Sequence, residues 1–259
     1  MAHNAHLAVL ALAVLACSCR SKAPPVIDTA LASCVPADTV LVAGLNLDQI
    51  RATPLYRSVL PEVLNGIQSL RDTSYLMIAY NAHDLLFLGR GKYTEAPPGA
   101  ALISNDLVIS GPAESMRAAI AQHQKGVTGS PRLLDLAAGI AGGRQVWMVA
   151  QGGVAFPLTG NATNLNRILH LTEYVTLTAQ MDSRIQIDAT GLGRTSDASR
   201  QLEDSVRAIL TFAAAGSARQ PEIAQMLKAV EIRRDGLTVH ATLSTSAETA
   251  EKVIRESSH

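Results

Sequence analysis

Polar and apolar side chains alternate strongly through two neighbouring segments of the C-terminal half, residues 172–180 and 184–190. Successive side chains of a β-strand point to opposite faces of its sheet. The period of two therefore predicts two strands that share one apolar face and one polar face. Asp182 and Ser183 separate the segments, and a short polar break of this kind predicts an antiparallel hairpin.

Turn and cap signals predict further hairpins and helices along the chain. Asn105-Asp106 and Asp235-Gly236 each join two short apolar segments and predict hairpins. Pro54, Pro112 and Pro221 each stand where a helix can begin, ahead of apolar residues at helical spacing. The predicted fold class is α+β, with antiparallel sheets whose helices pack on one face. Residues 34–151 and 152–259 follow a similar order of elements, which predicts two related halves.

The polar side chains at alternate positions of the C-terminal strands form the most informative candidate site. If these strands belong to one sheet, their polar side chains form an open face of hydroxyls and amides that can bind a partner. Antiparallel sheets commonly leave one face in water, so a merely solvated face is the alternative. The candidate binding residues on this face are Thr176, Thr178, Gln186, Asp188, Thr238 and His240.

The N-terminus predicts export. Residues 7–16 are a run of Leu, Ala and Val that is too short to span a bilayer and is typical of a secretory signal. Val14-Leu15-Ala16-Cys17 resembles the lipobox of bacterial lipoproteins. That resemblance implies a signal peptide over residues 1–16, diacylglycerol and palmitate on Cys17, and a lipidated tether over residues 17–33. An ordinary signal cut near Ala23 and a buried N-terminal helix remain alternatives.

Charge and composition narrow the classes of partner. The 22 basic and 22 acidic residues balance, which argues against a nucleic-acid-binding surface. Aromatic residues make up only 3% of the chain, so a stacking platform for bases or sugars is poorly supplied. The cysteines lack the spacing of a zinc site, and we predict no metal and no cofactor. If Cys17 is acylated, Cys19 and Cys34 are left as a candidate disulfide.

The sequence contains none of the common catalytic motifs. It has no phosphate-binding loop, no nucleophile elbow and no His-Glu-x-x-His zinc motif. Dispersed residues can still assemble a site, so an extracytoplasmic hydrolase that uses His83, Asp84 or His240 stays an alternative. A small-molecule carrier with a cavity between sheet and helices is a further alternative.

Short motifs in the remainder of the chain suggest a family. The opening Val35-Pro-Ala-Asp-Thr39, Thr53-Pro-Leu, Gly89-Arg-Gly and Ile109-Ser-Gly-Pro together resemble uncharacterised exported proteins of acidobacterial type. This resemblance implies export and globularity and brings no established activity. We therefore expect a membrane-anchored lipoprotein of the bacterial cell envelope that faces the periplasm or the exterior. We expect a non-enzymatic role, either binding an envelope protein partner or structural.

Overall fold

The computed structural model describes residues 27–59, 70–140, 143–156, 164–217 and 220–257. The elements of the N-terminal part are, in chain order, α1 (Thr29–Ala32), β1 (Leu41–Asn46), α2 (Leu47–Ala52), α3 (Pro54–Ser58), β2 (Thr73–Tyr80), β3 (Leu85–Gly91), β4 (Ala100–Ser104), β5 (Leu107–Ser110), α4 (Ala113–Gln124) and α5 (Pro131–Ala138). The C-terminal part continues with β6 (Val146–Gln151), α6 (Asn164–Leu171), β7 (Thr172–Met181), β8 (Arg184–Gly193), α7 (Ser196–Gly216), α8 (Pro221–Lys228), β9 (Glu231–Asp235), β10 (Thr238–Ser246) and α9 (Ala247–Ser257).

All of these strands join one antiparallel sheet in the order β4-β5-β3-β2-β1-β6-β7-β8-β10-β9. The predicted α+β class is confirmed, and so are the hairpins at Asn105-Asp106, Asp182-Ser183 and Asp235-Gly236. Helix α7 begins at Ser196, and Thr195 caps it by accepting a hydrogen bond from the backbone N–H of Ala198.

The strand order repeats itself. Strands β1 to β5 lie in the order β1-β2-β3-β5-β4, and strands β6 to β10 lie in the matching order β6-β7-β8-β10-β9. We call these sets the N-terminal unit and the C-terminal unit. Their first strands, β1 and β6, pair antiparallel at the centre of the sheet, with Ala43 opposite Met148. The two units therefore share one strand order, in which β6 is the counterpart of β1.

The front face of the sheet, which carries Val42 and Trp147, is covered over the N-terminal unit and over β6. Its strands bury Val42, Met77, Leu88, Ile109, Trp147 and Val149 against Leu31 of α1, Ala119 of α4, and Leu133, Leu134 and Ala137 of α5. Ile27 also lies in this core. Residues 27–33, predicted as the end of the tether, therefore belong to the globular part.

Other helices cover the back face, which carries Leu45 and Ile187. Leu47 and Ile50 of α2 pack on Leu76, and Leu55 of α3 packs with Ala250 of α9 on Ile185. Leu202 of α7 lies directly over Gly191 of β8. Helices thus occupy both faces of one sheet, whereas we predicted one face. The N-terminal strands and β6 are apolar on both sides and can be covered twice. Strands β7, β8 and β10 alternate, and within the described residues helices cover them only on the back.

None of the helices within the described residues is both long enough and apolar enough to cross a membrane. Residues 1–26, which include the predicted signal peptide, Cys17 and Cys19, lie outside the described residues. Cys34 is fully buried, and its thiol lies 3.4 Å from the carbonyl oxygen of Ala30.

Candidate binding groove on the polar sheet face

The front face of the C-terminal unit carries the predicted polar side chains. Strand register places Thr176 beside Thr190 and Thr190 beside His240. One row along, Thr178 stands beside Asp188 and Asp188 beside Thr242. Adjacent strands lie about 4.8 Å apart, so the side chains of each row are near neighbours. We call this surface the polar face; its members are Tyr174, Thr176, Thr178, Gln180, Gln186, Asp188, Thr190, Thr238, His240 and Thr242.

Helix α5 ends beside this face and turns part of it into a groove. The front-face helices stop at β6, so the edge of α5 forms a step above β7 and β8. The cavity below this step has a volume of about 620 Å³. The helix side contributes Asp135, Leu136, Gly139, Ile140 and Arg144, and the sheet side contributes Tyr174, Thr176, Thr178, Gln186, Asp188, Thr190 and His240.

An ion pair crosses the groove. Nη2 of Arg144 lies 3.4 Å from Oδ2 of Asp188, and both side chains are only about a quarter exposed, at 21% and 28%. The amide nitrogen of Gln186 donates to the same carboxylate oxygen at 3.1 Å. The carboxylate is therefore compensated by a neighbouring guanidinium and amide. A buried or half-buried charge that is paired in this way does not require a charged ligand.

Three hydroxyl groups of the groove have no competing partner in the described part of the chain; Tyr174 and Thr176 are half-buried, and Thr178 is 8% exposed. Within the described residues, the hydroxyls of Tyr174, Thr176 and Thr178 have no side-chain hydrogen bond. Thr190 is 3.3 Å from Nδ1 of His240. That contact is the nearest approach to a nucleophile and base, and no described carboxylate hydrogen-bonds to His240 to orient it. The groove thus offers donors and acceptors without the third member of a catalytic triad.

A second cavity continues the groove along the first turn of α5. It has a volume of about 520 Å³ and shares Leu136 and Tyr174 with the first cavity. Arg132 and Glu173 form an ion pair at its rim. The guanidinium of Arg194 is held by the carbonyl oxygens of Thr172 and Gly152, at 3.0 and 3.4 Å. Together the two cavities follow the seam between α5 and β7, and we call them the seam groove.

The structure brings the predicted binding residues together. Thr176, Thr178, Gln186, Asp188 and His240 all line the first cavity, and Thr238 lies on the same face outside it. Sequence reasoning missed Arg144, Leu136 and Ile140 because they reach the sheet from a distant part of the chain. Tyr174 is two residues from Thr176 on the same strand, so its side chain lies on the same face of the sheet. The alternation alone could therefore have predicted its place in the groove.

The residues considered for a hydrolase site, His83, Asp84 and His240, do not lie close together. His83 and Asp84 lie in the turn between β2 and β3, where Ser115 donates a hydrogen bond to Asp84 at 2.7 Å. His240 is on β10, six strand positions away from β3, which is about 29 Å at 4.8 Å per strand. Within the part of the chain that the structure describes, no three His, Cys, Asp or Glu side chains are grouped to hold a metal ion.

Comparison with known proteins informs the fold alone. No protein-family model matches the chain, and no curated protein matches it. Crystal form III of TP0453 superimposes with a TM-score of 0.52 at 11% identity, covering 87% of this chain and 97% of that one. Crystal form I of TP0453 gives a TM-score of 0.51 at 12% identity, covering 92% and 99%. At these identities the likeness extends to the arrangement of elements.

Proposed function

We propose that this protein is a membrane-anchored lipoprotein of the bacterial cell envelope that binds an extended, uncharged segment of another envelope protein in the seam groove. The observation that carries the proposal is the convergence of five predicted polar residues on one groove of about 620 Å³. The matching face of the N-terminal unit is covered by α1, α4 and α5. The same face of the C-terminal unit carries hydroxyls and amides instead of apolar side chains, which supports a surface used for recognition.

The chemistry of the groove favours a polypeptide ligand. Strand β7 pairs with β6 and β8, so its backbone cannot accept an added strand and recognition must come from side chains. The charges lining the groove balance within it, as in the pair of Arg144 and Asp188. Tyr174 is the one aromatic residue among those that line the two cavities, which gives little stacking surface for a sugar chain. Peptide carbonyls and amides match free hydroxyls in hydrogen-bonding capacity.

The start of the globular part suits an anchored protein. Asp28 caps α1 and also forms an ion pair with Arg90 of β3, with Oδ2 3.0 Å from Nε. This contact fixes the first described turn to the N-terminal unit. Strand β7 lies four strand positions from β3, which is about 19 Å. Nine residues, 18–26, lie between Cys17 and Ile27, and the ten steps from one to the other can span at most about 36 Å. This reach would allow the seam groove to meet a partner.

Site-specific cross-linking in the native envelope tests the binding proposal. We expect p-benzoylphenylalanine at Tyr174 to form an adduct with a polypeptide and the same group at exposed Gln201 of α7 to form none. The double variant Thr176→Val/Thr178→Val keeps the side-chain shape but removes two hydroxyls, so the adduct should fall severalfold at unchanged stability. The proposal would be refuted if both positions gave adducts in equal yield or if Tyr174 gave no polypeptide adduct. It would also be refuted if the adduct yield did not fall in the double valine variant.

Processing tests the anchor separately. We expect palmitate labelling and globomycin-sensitive cleavage of the natural chain, and neither in Cys17→Ser. A Cys19→Ser chain is the matched control and should be labelled normally. If the natural chain were unlabelled, or if Cys17→Ser were labelled equally, the lipid anchor would be refuted. The proposal that the seam groove binds a polypeptide would not be affected.

A further inference from the structure

Helices α7 and α8 form a second groove on the opposite side of the C-terminal unit. Its volume, about 890 Å³, exceeds those of the two seam cavities. Leu210 of α7, Leu227 of α8 and Ile232 of β9 line it and are each half-buried. None of the residues of α8 is fully buried, although this helix is amphipathic. The α7–α8 groove therefore leaves apolar surface in contact with water.

Small side chains shape the walls of this groove. Ala214 lies on α7 and Ala224 faces the groove from α8. Helices pack with their axes 8–10 Å apart, at the lower end where the contact residues are small. A third helix can therefore lie between α7 and α8 with its backbone close to both. An apolar groove between two helices is the usual receptor for the apolar stripe of an amphipathic helix.

The charged side chains of the groove all have one sign. Arg207 and Lys228 line it, and no acidic side chain does. Arg207 shares the carboxylate of Glu203 with Arg234, so two guanidinium groups face one carboxylate. Lys228 is exposed and forms no salt bridge within the described residues. The rim therefore carries net positive charge.

Both cations lie at the same end of the groove. Arg207 donates a hydrogen bond to the carbonyl oxygen of Ile232 at 3.0 Å, which places its guanidinium at the start of β9. Lys228 is in the last turn of α8, immediately before the same strand. We infer that the α7–α8 groove binds an amphipathic helix of a partner protein, with acidic residues of that helix at the Arg207 and Lys228 end. The charge on the rim selects an acidic helix over a basic one.

Synthetic helical peptides test the inference on the full-length mature protein by fluorescence anisotropy. The probe is a peptide of about five turns with leucines at i, i+3, i+4 and i+7 and glutamates in its first turn. A lysine counterpart and a glutamate peptide with scrambled leucines are the reference peptides. We expect the acidic peptide to bind, the basic one to bind more weakly, and the scrambled one not to bind.

Variants locate the binding. Lys228→Glu should weaken binding of the acidic peptide and strengthen binding of the basic one. The lost exposed pair contributes up to about fivefold in affinity, and the new glutamate adds repulsion of the same sign. Lys92→Glu, an exposed lysine after β3, makes the same change of charge and should alter neither affinity. Ala224→Leu should weaken both peptides by filling the groove. The inference is overturned if the acidic peptide does not bind, if the two lysine variants behave alike, or if the groove takes up oleate but no peptide.

Discussion

Replacement of Gly44 by alanine should strongly destabilise the centre of the sheet. Gly44 of β1 stands opposite Trp147 of β6, and the indole lies across the glycine. A Cβ at residue 44 would lie 2.4 Å from Cε2 and Nε1 of Trp147 and 2.5 Å from the hydroxyl oxygen of Tyr75. Ordinary contacts between heavy atoms are about 3.5–4.0 Å, so the added methyl group requires a shift of about 1 Å or more.

Neither neighbour can move without cost. Trp147 is 1% exposed and packed in the main core. Its Nε1 donates to the hydroxyl of Tyr75 at 2.6 Å, and burial raises the pKa of that hydroxyl to about 12. Overpacking a core costs about 1–3 kcal/mol, and a lost hydrogen bond costs about 0.5–1.5 kcal/mol. The free energy of unfolding should therefore fall by about 2–4 kcal/mol in Gly44→Ala.

Urea unfolding followed by circular dichroism measures this change. Gly216→Ala is the control, because the space around that helical glycine is open and alanine favours a helix by up to about 1 kcal/mol. Leucine ends at Cδ and has no atom at the positions of Cε2 and Nε1, so Gly44→Ala should cost less in a Trp147→Leu background by about 0.5–3 kcal/mol. A Gly44→Ala cost below about 0.5 kcal/mol, or strict additivity with Trp147→Leu, would refute the argument from close approach.

Three further predictions concern buried or paired groups. Burial raises the pKa of the Cys34 thiol to about 11 from 9.0, so the stability that the neutral thiol contributes is present below pH 9 and lost as the pH rises to 11. In Cys34→Ala the urea midpoint should fall less between pH 9 and pH 11 than in the natural chain. In the natural chain, Cys34 should react with iodoacetamide no faster than the protein opens. A hydrogen bond from Ser104, aided by Arg90, lowers the pKa of Asp106. Asp106→Asn should therefore be less stable than the natural chain above about pH 4. At more acidic pH the urea midpoints of the two proteins should become equal. Ser130→Ala should cost about 1–3 kcal/mol in the same assay, because the single hydroxyl proton of buried Ser130 is shared among the carbonyl oxygens of residues 36, 37 and 39. An unchanged midpoint would contradict this.

The local pattern of the sequence determined the strands and turns. Period-two alternation in residues 172–190 and the turn signals at Asn105-Asp106 and Asp235-Gly236 gave the hairpins and the polar parity of the C-terminal unit. These features depend only on neighbouring residues, whose side-chain directions follow from backbone geometry. The same parity selected Thr176 and Asp188, which the structure places in one groove.

Only the tertiary structure decided what stands next to that face. Helix α5 and Arg144 reach β7 and β8 from residues more than thirty positions earlier in the chain, and local patterns carry no information on such contacts. The single continuous sheet likewise depends on the pairing of β1 with β6, two short apolar strands about a hundred residues apart. The alternation in the sequence thus determined a polar face, and the position of α5 made part of that face a groove. The reason is that side-chain parity is local, whereas the packing of helices on a sheet joins distant parts of the chain.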